Sequence, residues 1–224
     1  MPRKTLSADL PDSRYHWIAV LGAAKRFDDR QLKLGYQLGK TVALSGKGLI
    51  TGATTGIPLA AAVGAKDHGG QVLGISPAEN PSEHTRHFAK PLHFHDIILY
   101  TGLGNDGRSP MIVRSAGIAL FAGGEAGTLQ EFSAAWLNGI PVIGILEKSG
   151  GISDQLMEIA SSFKTRFGSR LVASDQPKFL VQKCLNELDT QIRDADLDHP
   201  EPDPATLAVL KSLATLRPKD DSSV

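Results

Sequence analysis

The chain has 224 residues, 41% of them hydrophobic and 21% charged, a balance typical of a globular protein able to bury one substantial core. Its 24 Lys and Arg offset 24 Asp and Glu, so it carries no formal net charge, and no basic run points to nucleic acid or an anionic membrane. Cys184 is the only cysteine, which excludes a disulfide framework and a multi-cysteine zinc site. No apolar run approaches the roughly 20 residues of a membrane span, and Met1 to Trp17 lacks the apolar stretch of a signal peptide. The expectation is a cytoplasmic protein with neither a membrane nor a nucleic-acid partner.

Short apolar runs alternate with longer helical patterns, which predicts a doubly wound, mostly parallel α/β sheet of Rossmann-like type. Residues 1–16 read as a tail and 17–188 as one Rossmann-like domain. The first strand is Trp17 to Leu21, ending at Gly22, and Asp28 or Asp29 caps a helix to about Leu44. A strand at Gly48 to Thr51 leads through Gly52-Ala53-Thr54-Thr55-Gly56 into a small-residue helix to about Lys66. Gln71 to Ile75 is the third strand, and Ser76 to Pro91 reads as a long polar loop, a length often tied to function. Ile97 to Thr101 is the fourth strand, followed by Gly102 to Gly107 and a short helix through Val113. Ile118 to Phe121 is the fifth, ending at Gly123-Gly124-Glu125-Ala126-Gly127-Thr128, which opens a helix to about Leu137. Pro141 to Leu146, a helix near Ser153 to Phe163, a short strand at Leu171 to Ala173 and a helix from Pro177 to about Leu188 complete the domain. Residues 189–224 form an acidic, proline-containing tail with one short helix after Pro204, where Leu207, Leu210 and Leu213 share a face.

In an open parallel sheet, ligands sit beyond the carboxyl ends of the strands. Two glycine turns lie there, Gly52 to Gly56 and Gly123 to Thr128, each just before a helix. A helix N-terminus offers free N–H groups and about half a positive charge, which suits a phosphate. Glycine lets backbone approach a ligand closely, and Thr54, Thr55 and Thr128 add hydroxyls. The bland alternative is a pair of tight strand-to-helix turns with no ligand.

The order of these residues resembles the LOG phosphoribohydrolases, long mislabelled lysine decarboxylases, and the related molybdenum-cofactor carrier proteins. The matching stretches are Ile18 to Gly22, Thr51 to Gly56 with Gly64-Ala65, Gly74 to Pro77, Gly107-Arg108 through Met111, Gly123-Gly124, Gly127-Thr128, Glu131, Gly139 and Pro141 to Ile143. Two residues, Glu125 and Ala126, separate the Gly-Gly and Gly-Thr pairs, where the hydrolases have one, and Ala122 stands for their proline. That spacing resembles the carrier branch. The resemblance implies Arg108 and Glu131 as catalytic residues of an N-glycosidic hydrolase acting on a nucleoside 5′-monophosphate. Gly22, Gly52, Thr54, Thr55, Gly56, Gly123, Gly124, Gly127 and Thr128 would then hold the phosphorylated ligand. It implies no required cofactor and no metal, a small-molecule partner, and a homo-oligomer whose close packing the small-residue helix after Gly56 would allow. In the carrier reading the molybdenum cofactor is the carried ligand and nothing is hydrolysed.

Several residues carry more than one reading. Thr128-x-x-Glu131 has capping-box spacing, so Glu131 is a cap or a ligand contact. Arg108 grips an anion or makes a surface ion pair, with Arg114 as second choice. Gly102 to Gly107 is a formal GxGxxG with Glu125 about 20 residues on, which raises an NAD-dependent dehydrogenase; a flexible turn delivering Arg108 fits the short helix better. His84, His87, His93 and His95 read as solvated loop histidines, with a transition-metal site as the alternative. Asp67, His68, Glu147 and Lys148 read as solvated charges, and Cys184 as a packing residue.

Overall fold

Seven strands, each closing with a run that turns into a helix, order the chain in the computed structural model, which describes residues 13–163, 168–194 and 204–214. A 3-10 turn (Ser13–His16) leads into β1 (Trp17–Gly22), α1 (Asp29–Leu44), β2 (Gly48–Thr51), α2 (Gly56–Lys66) and β3 (Val72–Ser76). There follow α3 (Pro81–Arg86), β4 (Ile97–Tyr100), α4 (Gly104–Arg114), β5 (Ile118–Ala122), α5 (Ala126–Leu137) and β6 (Val142–Leu146). A 3-10 turn (Gly151–Gln155), α6 (Leu156–Ser162), β7 (Arg170–Ser174) and α7 (Pro177–Asp194) close this unit. Outside it lies α8 (Pro204–Ala214), with Leu207 half-buried; Leu210 and Leu213 of its expected apolar face lie outside the described side chains.

The sheet order is β4-β3-β2-β1-β5-β6-β7, and every neighbouring pair is parallel. The chain winds outward from β1 to β4, returns to β5 beside β1, and winds outward again. The β1/β5 junction is therefore the topological switch point, where adjacent connections leave on opposite faces and open a crevice. Strand residues alternate between two cores. Ile18, Val20, Leu120 and Val142 bury into one with residues of α1, α2 and α7; Ala19, Phe121, Ile143 and Ile145 bury into the other with residues of α4, α5 and α6. Each fully buried Leu, Ile or Phe is stabilised by roughly 1.5–3 kcal/mol over exposure, so both faces hold the sheet in place.

Local chemistry sets the element ends. Asp28 caps α1 in a capping box: its carboxylate accepts from Gln31 N at 2.7 Å, and Gln31 Oε1 accepts from Asp28 N at 3.2 Å. A hydroxyl accepts a backbone N–H two residues on at Thr51, Ser76, Thr101 and Ser174, turning the chain after β2, β3, β4 and β7. The residues expected as one loop from Ser76 to Pro91 contain α3, started by Asn80, whose side chain accepts from Glu83 N at 3.0 Å, with Pro81 in the first turn. Gly104 to Gly107 are helical rather than a flexible turn, so Arg108 sits within α4. The helix expected to end near Leu188 runs to Asp194.

The small residues of α2 serve the chain itself. A Cβ on Gly39 of α1 would meet Ala61 O at 1.8 Å, and one on Gly64 of α2 would meet Tyr36 O at 2.1 Å. The two helices pack backbone to backbone, which leaves the expected homo-oligomer without the support of that surface.

Candidate functional site

A cavity of about 470 Å³ opens at the switch point, within the range of small-ligand sites. Its floor is the exit of β1 (Leu21 to Lys25); Gly52, Thr54 and Pro58 follow from β2 and α2, and Gly124, Glu125, Gly127 and Thr128 from the β5 turn. Arg108 of α4 and Glu131 of α5 face it, and His87, Phe88 and Lys90 after α3 complete the wall.

The strand-end turns divide in role. Gly22 has φ +154, and a Cβ there would lie 1.9 Å from Ala122 O, so glycine lets β1 and β5 part closely at the mouth. Thr55 and Gly56 do not border the cavity: Thr55 Oγ1 donates to Ala24 O at 2.6 Å, and Gly56, at φ +69, presses on Ala23 O. Gly123 is also withdrawn, since its N–H donates to Ser149 Oγ at 2.9 Å and Ser153 Oγ at 2.7 Å. These two buried serines, after β6, brace the turn from behind, as does Ile152 N donating to Gly124 O at 2.8 Å. Gly127 is different, because nothing lies within 4 Å of a Cβ built there. It stands in the first turn of α5, whose N-cap Glu125 makes no capping hydrogen bond.

Thr128 is not the N-cap; it is the third residue of α5, packed under Gly124, so Thr128 and Glu131 form no capping box. Glu131 instead points at Arg108, with Oε1 3.7 Å from Arg108 Nη2. Both are buried, with 6% of Arg108 and 8% of Glu131 exposed, so Arg108 is not a surface ion pair. Arg108 Nε and Nη1 have no hydrogen-bond partner among the described residues. Each such buried donor costs roughly 1–3 kcal/mol while it stays unsatisfied. Burial raises the Glu131 carboxyl above its usual range, opposed by the charges of Arg108 and Lys90, and burial lowers the Arg108 guanidinium, opposed by Glu131. Gly52 makes the arrangement possible: a Cβ there would lie 1.9 Å from Arg108 Nη1.

Residues the sequence did not single out add charge and polarity. Lys90 lies partly buried with its ammonium lowered to about 8, first by burial and then by the charge of Arg108. Lys25, Asn105, Asp106, Ser109 and Gln130 also line the space. Position after β1 was the one available signal for Lys25. Nothing local marked Lys90, because its approach depends on α3.

The histidines separate. His84 is buried: its Nδ1 pairs with Ser76 Oγ at 2.8 Å while Nε2 donates to Pro91 O at 3.2 Å, and burial lowers its pKa. His95 pairs with Thr51 Oγ1 at 2.8 Å and His93 O at 3.0 Å, and burial lowers it too. These two are fold elements rather than solvated loop histidines; His87 borders the cavity. Among the described residues no three His, Cys, Asp or Glu side chains gather to hold a metal ion, and no helix is long and apolar enough to cross a membrane. The GxGxxG follows the edge strand β4 and not the central strand β1, so it lacks the placement of a dinucleotide fingerprint at the switch point. Glu125, its expected acid, is exposed and pairs with Arg26 at 3.3 Å. Lys148 pairs with Asp175 at 2.8 Å, Tyr36 donates to Asp67 at 3.1 Å, and Cys184 is buried, its thiol pushed up to about 12 by burial.

Fold and cavity together define a Rossmann-like protein with a ligand crevice at its switch point. The chain belongs to the SLOG cluster4 family, whose model matches residues 15–181. An uncharacterized protein from Archaeoglobus fulgidus is 32% identical over 122 residues, 54% of this chain and 74% of that one. The molybdenum cofactor binding protein of the phototrophic bacterium Rippkaea orientalis is similar at 27% identity and a TM-score of 0.61, over 81% of this chain and 99% of that one. The molybdenum cofactor carrier protein of Chlamydomonas reinhardtii shares the fold at 24% identity and a TM-score of 0.59, covering 77% and 99%. DNA processing protein A of Streptococcus pneumoniae also shares the fold, at 16% identity and a TM-score of 0.53, covering 74% of this chain and 61% of that one.

Proposed function

We propose that this protein binds a phosphate monoester of a nucleoside-like heterocycle in the switch-point cavity. The observation that carries this reading is Arg108: a buried guanidinium on the cavity wall, with two donors unpartnered among the described residues, in the same cavity that the α5 N-terminus lines. Lys25 and Lys90 add positive charge beside them, and Gly127 leaves α5 bare where an anion can approach. A nucleoside monophosphate fits this chemistry, and so does the molybdenum cofactor as cargo, since its pterin carries a phosphate. The likeness to the Rippkaea orientalis protein supports the carrier side.

Glu131 favours a second reading, hydrolysis of an N-glycosidic bond. It is free of any capping role and faces the cavity beside Arg108. As a carboxylate it would stabilise an oxocarbenium-like sugar while water attacks, giving free base and ribose 5-phosphate. Neither reading needs a metal ion held by the protein's own side chains.

The test is thermal shift and product analysis with nucleoside monophosphates, on wild type and Glu131→Gln. Free base from wild type and not from the variant establishes the hydrolase. Stabilisation without product establishes a carrier or sensor. If neither occurs with any nucleoside monophosphate or with a pterin phosphate, the proposal is wrong.

A further inference from the structure

We infer that the turn Phe88-Ala89-Lys90 is the subsite for the flat ring of the ligand, so that the site selects phosphate monoesters bearing a heteroaromatic group over simple phosphosugars. The inference rests on the phosphate-binding reading above and names the other end of the same ligand.

Among the described residues that border the cavity, Phe88 is the one benzene ring, and His87 precedes it. The remaining apolar lining is aliphatic: Leu21, Ala23, Ala24 and Pro58. The cations and the α5 N-terminus account for a phosphate, but they offer nothing to a ring. Phe88 does, because a flat base stacks on an aromatic face whatever its sequence of ring atoms.

The turn is held in place. Phe88 N donates to Glu83 O at 3.1 Å, and Lys90 N donates to His84 O at 3.1 Å. His84 itself is bolted to the end of β3 through Ser76 and to Pro91 beyond the turn. Between the two cavity residues Ala89 takes φ +49, a left-handed conformation that L residues seldom adopt. Strain of this kind persists where the surroundings over-determine it, and it gathers at ligand clamps. Its consequence here is that Phe88 and Lys90, two positions apart, both reach the cavity. Lys90 Nζ lies over one face of the Phe88 ring, 5.3 Å from its centroid, so one short turn holds an aromatic ring and a cation against each other at the cavity. That pairing matches a molecule with a ring at one end and a phosphate at the other.

Calorimetric titration of the full chain with adenosine 5′-monophosphate, 6-hydroxymethylpterin phosphate and ribose 5-phosphate tests it. A stacked base is worth roughly 1–3 kcal/mol, so at least one ring-bearing ligand should bind wild type about fivefold or more tighter than ribose 5-phosphate. Phe88→Ala and Phe88→Leu should both erase that preference, the ring-bearing ligand losing more affinity than ribose 5-phosphate, and Phe88→Trp should keep it. Leucine retains bulk, so its loss of preference separates stacking from packing even if the alanine variant folds poorly. Which ring binds tighter, purine or pterin, identifies the source of the heterocycle. Equal binding of ring-bearing and ring-free ligands by wild type overturns the inference and leaves the phosphate site standing. A parallel loss of all ligands in Phe88→Leu overturns it as well. If no phosphorylated ligand binds wild type, the phosphate reading fails first and this inference with it.

Discussion

The turn after β2 and the turn after β5 are built from the same residue types, yet their glycines face different things. Gly56 faces protein: its Cβ direction ends 2.1 Å from Ala23 O, and Ile57 N donates to that same carbonyl at 2.8 Å. Gly127 faces open space at the cavity. Thr55 spends its hydroxyl on Ala24 O, whereas Thr54 borders the cavity. The first turn thus mainly seats α2 against the exit of β1, and the second presents α5 to a ligand. A glycine signature in a sequence marks where backbone comes close to something; only the fold says whether that something is backbone or ligand.

The sharpest way to break this contrast is Gly56→Ala. A left-handed φ costs an L residue roughly 1–2 kcal/mol, and forcing a methyl against a carbonyl adds about 1–3 kcal/mol. We expect denaturant unfolding to show a loss of about 3 kcal/mol. A loss under about 1 kcal/mol would remove the structural role assigned to this turn.

Next in size is the effect of Arg108 on binding. Charge-assisted hydrogen bonds contribute roughly 1.5–3 kcal/mol, so Arg108→Met should weaken a phosphorylated ligand about 10- to 100-fold. Because the guanidinium backs onto Gly52, Gly52→Ala should displace it and weaken binding in the same direction. Titration of both variants checks the link. Full affinity in Gly52→Ala would mean that the guanidinium does not need that space.

A smaller, opposite-signed effect belongs to Gly127→Ala. Alanine is favoured over glycine in a helix by about 1 kcal/mol, and the methyl meets nothing, so stability should hold or rise. Ligand affinity should fall several-fold if a phosphate sits against that backbone. A variant that melts higher and still binds at full strength would place the ligand elsewhere in the cavity.

Much of this arrangement was legible in the residues. Short, nearly continuous apolar runs mark strands buried on both faces of a parallel sheet, and Asp28 or Asp29 marks the start of α1. Arg108 and Glu131 stood out through a resemblance, and the fold brings them to 3.7 Å. What misled was local spacing. Thr128-x-x-Glu131 has the period of a capping box, but the chain enters α5 three residues earlier, at Glu125. Asn80-Pro81 was a usable helix start inside a segment read as loop. Lys90 and the bracing serines Ser149 and Ser153 were invisible, because their roles come from contacts between segments far apart in sequence.

The finest test concerns Lys90 and separates site from scaffold by sign. In the ligand-free protein its ammonium loses its proton near pH 8 instead of 10.5, chiefly because burial penalises the charge. An anionic ligand favours the charged form, so affinity should be level below about pH 8 and fall as pH rises above it. Binding near pH 8.5 should take up a proton, visible as buffer-dependent heat in calorimetry. Stability runs the other way. Between about pH 8 and 10.5 the unfolded chain holds the proton that the folded chain has released, so Lys90's contribution makes the ligand-free fold gain stability with pH. That gain is of order 1 kcal/mol after solvent screening of a partly buried group. Lys90→Met should flatten both curves in this window. If the variant keeps the fall in affinity while losing the gain in stability, then Lys90 belongs to the scaffold, and another cation at the cavity, with Lys25 the first to examine, meets the phosphate.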